Sequence, residues 1–275
     1  TCSEMNRALE HFELLRLVDK PDFFVSFIDV PFKITEHGLK HYENQIMRKI
    51  LEPMNAKFGT DISDAAIRAA VTEHNEVCRI LTEIGDMRKL KNPPVTGYEY
   101  HVLCLVSYCC PKKLILPYLR ETLEELKTRE PDEKSPSGAL VVADRFCFGA
   151  LPGRQEIPLR EGEPALRQIC RFYQQSSQCP RYMARDKVLD RREFVYRLVK
   201  EYHADGVLYE ALKFCEFWGY ERPLASHILT EEMGVPTVCV DRQYTGSASG
   251  QLRTRVQAFV ESLEIKNINM AKEGL

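Results

Sequence analysis

Asp205-Gly-Val-Leu-Tyr-Glu-Ala-Leu-Lys-Phe-Cys-Glu-Phe-Trp-Gly-Tyr-Glu-Arg-Pro223 is the stretch on which the fold turns. Val207, Leu208 and Tyr209 follow the turn Asp205-Gly206 as a short apolar run, the pattern of a buried parallel strand. Cys215 comes a few residues later, between Phe214 and Phe217. Trp218-Gly219-Tyr220 then reads as a turn, and Pro223 as the opening of a helix. This places a thiol in the loop at the carboxyl end of a strand, where open α/β sheets bind ligands. Aromatic neighbours on both sides suit a dry iron–sulfur site held by thiolates. The alternative is a cysteine that only packs, and from this window alone the packing role is favoured.

Working outward, the second half of the chain alternates strand and helix. Ala139 to Ala143 is expected as a strand ending in Asp144-Arg145, followed by a helix from Pro164 to Gln174. A helix from Arg191 to Tyr202 carries Phe194, Leu198 and Val199 on one side. Beyond the strand at 207–209 come a helix from Arg222 to Met233, a strand from Val235 to Val240 and an amphipathic helix from Gln251 to Leu263. Alternation at this pitch implies parallel strands with right-handed crossovers, a doubly wound lobe.

The first half differs. Phe23 to Val30 reads as its one clear strand, and helical spacing dominates thereafter, as if the beginning of a sheet were absent. Leu39, Tyr42, Ile46 and Ile50 recur at helical intervals, and Ser63 is the expected N-cap of a long helix through about Lys91. Cys78 on that helix reads as packing. Asn92 to Gly97 breaks the chain, and Leu114 to Lys127 is a further helix. Glu130-Pro-Asp-Glu-Lys-Ser-Pro-Ser-Gly138 is the strongest linker signal, so residues 1–130 and 131–275 are the expected domains.

Composition narrows the function. Of 275 residues 44% are hydrophobic and 28% charged, and the net charge is −2, which gives nucleic acid no basic surface to bind. No apolar run approaches a membrane span. Ten cysteines are too few for a disulfide scaffold of this length, which points to a reducing, cytoplasmic setting. A chain opening at Thr1-Cys2 without a starting Met is expected to be a piece of something longer. Neither a phosphate-binding glycine motif nor a zinc-type cluster of Cys and His pairs is present. The seven histidines, among them His74 and His101, read as helix or loop surface positions. Three expected strand ends carry polar residues to one edge: Asp144 to Gly149, Lys213 to Glu216, and Asp241 to Gln243.

Together these segments resemble the 2-hydroxyacyl-CoA dehydratase and benzoyl-CoA reductase family, over nearly the whole chain. Leu208 to Pro223 is similar to the family's Lys-Phe-Cys-Asp segment. Gly250-Gln-Leu-Arg-Thr-Arg-Val-Gln-Ala-Phe-Val-Glu261 matches its Gly-Gln-x-Arg-Thr-Arg-x-x-Ala-Phe signature. Asp144-Arg-Phe-Cys-Phe-Gly149 is a looser match to an Asp-Asp-x-Cys-x-Gly loop. Thr1-Cys2-Ser3, Gly59 to Ser63 and Thr72-Glu-His-Asn75 fall in the family's order.

The resemblance implies two Rossmann-like α/β lobes, the first incomplete at its N-terminus, with a helical connection and a 4Fe–4S cluster between the lobes. It implies Cys215 and Cys2 as cluster ligands, with a third upstream of residue 1 and Cys147 as the best substitute within the chain. Arg253 or Arg255 would reach an acidic loop or a CoA phosphate, or form an internal ion pair. The implied reaction is loss of water from a 2-hydroxyacyl-CoA through a ketyl radical. Its electron comes from an ATP-dependent activator protein, and a second homologous subunit completes the enzyme. A reductase of the same family, one with a double-cubane cluster included, is the near alternative. A non-catalytic partner subunit or inactive fragment is the distant one.

Overall fold

The structure, a computed structural model, describes residues 3–18, 24–131, 138–146, 149–176, 178–179, 185–213, 215–242 and 249–273. It is mixed α/β, mostly helical, with a small parallel sheet. The chain forms two compact units, one built on Ser26–Gln178 and one on Arg185–Leu275, the latter joined by helix α1 (Ser3–Val18). Among the described residues no helix is long and apolar enough to cross a membrane.

In the first unit, Thr35 caps α2 (Glu36–Ile46) by accepting from Gly38 N at 3.1 Å. A π-turn at Met47–Leu51 leads into α3 (Glu52–Phe58), which ends at Gly59 with φ 65°, a left-handed conformation that glycine adopts without strain. Ser63 caps α4 (Asp64–Asp86) as its sequence position requires, its Oγ accepting from Ala66 N at 3.2 Å. One face of α4 buries Val77, Leu81 and Ile84 against α5 (Gly97–Cys109) and α6 (Lys112–Thr128), whose Leu116, Leu119 and Leu123 complete the core. The short α7 (Ala150–Gly153) and α8 (Ala165–Ser176) finish the unit, and Leu166 and Cys170 of α8 pack with Leu39 and Tyr42 of α2.

Two expected strands do not form. Residues 24–30 and 139–146 run without regular structure, and among the described residues neither has a strand to pair with. Residues 139–146 are held by side chains instead. Val141 lies so close to the start of α5 that a Cβ on Gly97 would sit 2.5 Å from Val141 O. The two units also part elsewhere than at residue 130, because the segment after the linker is pinned to α4. Asn75 brackets Ile157, donating to its carbonyl at 2.8 Å and accepting from its N–H at 2.7 Å. Asp64 accepts from Ala165 N at 2.5 Å, and Arg68 donates to Arg160 O and Glu163 O.

In the second unit α9 (Arg185–Glu201) precedes β1 (Val207–Leu212), and α10 (Glu216–His227) with a π-turn at Ile228–Glu232 leads to β2 (Thr237–Arg242). The strands pair in parallel, Val207 opposite Thr237 through Leu212 opposite Arg242. The long α11 (Ser249–Glu273) half-buries Leu252, Val256, Phe259 and Val260, the face expected from their spacing. Gly206 packs closely here: a Cβ would lie 2.8 Å from Phe259 Cζ and 3.0 Å from Pro236 O.

Candidate functional site

The parallel pair delivers Cys215 to its position step by step. Lys213 N donates to Arg242 O at 2.8 Å, extending the ladder, and Cys215 N then donates back to Leu212 O at 3.0 Å. Cys215 O accepts from Gly219 N at 2.8 Å, the first turn of α10. Cys215 is therefore the N-cap of α10, with extended backbone and no side-chain capping bond. The expected helix start at Pro223 is corrected. The helix begins seven residues earlier at Glu216, an acid placed where the helix dipole favours one, and Pro223 lies inside it.

A pocket of about 270 Å³ opens at this carboxyl end of the sheet, lined by Leu212, Lys213, Cys215, Glu216, Arg222 and Asp241 among others. Arg222 of α10 pairs with Asp241 at the end of β2, and Arg242 pairs with Glu210 of β1. Behind the pocket, Trp218 meets Tyr209 edge to face with centroids 5.9 Å apart, seating the first turn of α10 on β1. Arg191 of α9 grips Glu221 through two bonds of 3.2 and 3.0 Å, a pair almost wholly buried. This bidentate contact fixes the roll of α10 and with it the direction of Cys215.

Two of the three expected polar edges thus meet, at Lys213 to Glu216 and at Asp241. The third, Asp144 to Gly149, belongs to the other unit and is a structural anchor. Asp144 is 3% exposed and accepts from Arg88 Nη1 at 3.0 Å and from Ala150 N at 2.9 Å. Arg88, 1% exposed, also lies over the Tyr100 ring at 3.9 Å. Gly149 O accepts from the Tyr108 hydroxyl at 2.6 Å. Cys2 and Cys147, expected as ligands, and Phe214, expected as a wall, lie outside the described residues.

Arg255 Nη2 donates to Cys239 O at 2.7 Å, so it ties α11 to β2 through a backbone carbonyl rather than through an ion pair. Arg253 is exposed on the same helix. His74, expected at the surface, is half-buried instead. It lies 3.2 Å from Gln155 O and 3.3 Å from the Cys78 sulfur, and burial lowers its pKa. Burial pushes the Cys78 thiol up to about 12 and Cys104 to about 11, the behaviour of packing cysteines.

Cys215 suits a thiolate ligand, being half-buried at the partially positive end of a helix beside a pocket. Among the described residues no group of three Cys, His, Asp or Glu side chains gathers to hold a metal ion. The described residues therefore do not by themselves gather a metal-ligating set around Cys215.

The family model described as 2-hydroxyglutaryl-CoA dehydratase, D-component, matches residues 1–139 and 134–263. The chain belongs to this family. Its relatives include YjiM of Escherichia coli (strain K12), named for a dehydratase subunit. YjiM is 22% identical over 263 residues, covering 87% of this chain and 68% of YjiM. The (R)-phenyllactyl-CoA dehydratase beta subunit of Clostridium sporogenes is 21% identical, covering 83% of this chain and 65% of that protein. A benzoyl-CoA reductase subunit of Thauera aromatica is likewise 21% identical, covering 89% of this chain and 69% of that protein. The chain thus spans about two thirds of the length of these relatives. Arg191, Glu221 and Arg222, which frame the Cys215 pocket, have no signal in the sequence read alone, because their partners lie 19 to 30 residues away.

Proposed function

We propose that the chain is an iron–sulfur subunit of a 2-hydroxyacyl-CoA dehydratase-like enzyme, which removes water from a 2-hydroxyacyl-CoA by one-electron chemistry. The observation that supports this best is the position of Cys215, at the head of α10 and the carboxyl edge of the parallel pair, on a pocket. Membership of a family named for a CoA-ester dehydratase supports this reading. When bound, a 4Fe–4S cluster supplies a low-potential electron and a Lewis-acidic iron at the thioester carbonyl.

The chain's own residues do the positioning. Cys215 and Cys2 serve as ligands, with Cys147 available as a further thiolate. Tyr209 and the Arg191–Glu221 pair hold α10 so that Cys215 Sγ keeps its direction. Arg253, exposed on α11, meets a CoA phosphate, while Arg255 secures that helix to β2. A second homologous subunit and an ATP-dependent activator protein complete the enzyme.

The test is anaerobic isolation with iron and sulfide counted per chain. Cys215→Ser is expected to lose most of the iron while its far-UV circular dichroism stays unchanged. Unchanged iron would reject Cys215 as a ligand. A second reading, a reductase subunit, is favoured by the equal identity to a benzoyl-CoA reductase subunit. Product analysis with partner and activator present separates the two, since a dehydratase yields a 2-enoyl-CoA and a reductase a ring-reduced thioester.

A further inference from the structure

Helix α10 carries two stripes that face different ways. Trp218 against Tyr209, Glu221 held by Arg191, and the buried Ala225 recur three and four residues apart and form its packed side. One position round the helix, Cys215, Gly219 and Arg222 recur four and three residues apart, and all three line the pocket. Gly219 therefore lies on the pocket wall one turn beyond Cys215.

Packing does not call for glycine there. Gly219 is not among the residues with positive φ, and a Cβ on it would meet nothing within 4 Å beyond its own stretch of helix. Glycine inside a helix is poorer for folding than alanine, because the unfolded chain gives up more freedom at that position. Pro223 sets its ring against the carbonyl four residues back, that of Gly219, but this carbonyl is the same in glycine and alanine. The Gly219 N–H already donates to Cys215 O at 2.8 Å, so the residue brings the pocket no spare donor. It brings room, in the form of bare backbone beside a thiol.

We propose that Gly219 is the contact residue that lets an iron–sulfur cluster bound through Cys215 lie against α10, and that its lack of a side chain sets the size of what the pocket holds. The proposal rests on the reading of Cys215 as a cluster ligand and adds a residue that has no ligating atom. A methyl or larger group at position 219 fills the space next to the thiolate and holds the cluster off the helix, toward water. Solvent exposure is one determinant of a cluster's potential. Water favours the more negative, reduced state, so a cluster held off the helix has a higher potential.

The full chain, reconstituted anaerobically with ferrous iron and sulfide, tests this. Metal-free Gly219→Ala is expected to be at least as stable as wild type, by Trp218 fluorescence in urea. With iron and sulfide bound, the same variant should release iron to a chelator about tenfold faster, as changes just outside a ligand set do. Its midpoint potential should shift upward. Gly219→Leu, folded by circular dichroism, should lose most of its iron. Cys215→Ser separates the proposal from the reading beneath it. Iron lost in Cys215→Ser but held as in wild type by both Gly219 variants overturns the role of Gly219 alone. Iron kept in Cys215→Ser, or a wild-type chain that takes up no iron and sulfide, overturns both. A metal-free Gly219→Ala less stable than wild type also overturns the proposal, because the glycine would then be serving the fold.

Discussion

Each of the two units carries a buried arginine–carboxylate pair, and the two pairs do different things. In the first unit Arg88 and Asp144 hold an irregular segment in place, with Asp144 also bound to Ala150 N and Arg88 stacked on Tyr100. In the second unit Arg191 and Glu221 join two helices, one of which carries Cys215 at its head. A buried charge is costly unless paired, so each pair makes its partner indispensable once formed. One pair maintains the core of its unit. The other orients a pocket whose own charged residues, Arg222 and Asp241, stay partly exposed. Rigidity behind a site and accessibility within it are thus divided between two layers of the same helix.

The comparison is broken most severely at Asp144. Asp144→Ala strands Arg88 and frees Ala150 N, and should cost about 3–5 kcal/mol, confined to the first unit. The chain's single tryptophan, Trp218, reports the second unit alone. Urea unfolding followed by Trp218 fluorescence should therefore move little, while hydrogen exchange in α4 and α5 accelerates strongly. Equal shifts by both probes would mean the units unfold as one. Glu221→Gln is the counterpart. It keeps the shape and one acceptor, so about 1–3 kcal/mol is expected, now in the Trp218 transition.

A smaller effect separates the units by pH. Folded protein keeps the protons of Cys78 and Cys104, whose thiols are raised by burial from 9.0 to about 12 and about 11, while the unfolded chain releases them above 9. The stability this gives the first unit is complete below pH 9 and declines as the pH rises toward 11 and 12. Cys78→Ala should flatten that alkaline decline in exchange-monitored stability of α4.

Much of this division is legible in the residues. Ser63 and the apolar spacing of Val77, Leu81 and Ile84 mark α4 plainly, and the strands ending at Leu212 and Arg242 show as apolar runs bounded by turns. Ala139 to Ala143 shows why such runs mislead: a short apolar stretch does not by itself find a strand to pair with, and here Leu140 and Val141 stay exposed. Helix α5 is invisible to a periodicity argument, because an apolar residue on every side leaves no period to detect. Pro223, a residue type frequent at the first helical position, outweighs Glu216 in the sequence and so hides the true start of α10. Cys215 is readable as a strand-end thiol. The Arg191–Glu221 pair behind it is not, since only tertiary packing brings α9 beside α10.

The smallest expected change in stability is at Cys215, and it runs in the opposite direction from the rest. Cysteine is a poor N-cap, and Cys215 makes no side-chain capping bond. Serine is among the preferred N-caps, because its hydroxyl accepts from the N–H groups two and three residues on, here those of Phe217 and Trp218. Cys215→Ser should therefore stabilise α10 slightly, by about 0.5–1 kcal/mol, seen as a higher urea midpoint in Trp218 fluorescence. The same variant is expected to lose iron. A residue kept for packing would give the reverse, with unchanged iron and a transition that shifts downward as the buried sulfur is lost. A cysteine at a helix head that serine would fill better for folding is one whose sulfur is kept for a ligand, and the two measurements together decide whether Cys215 is such a residue.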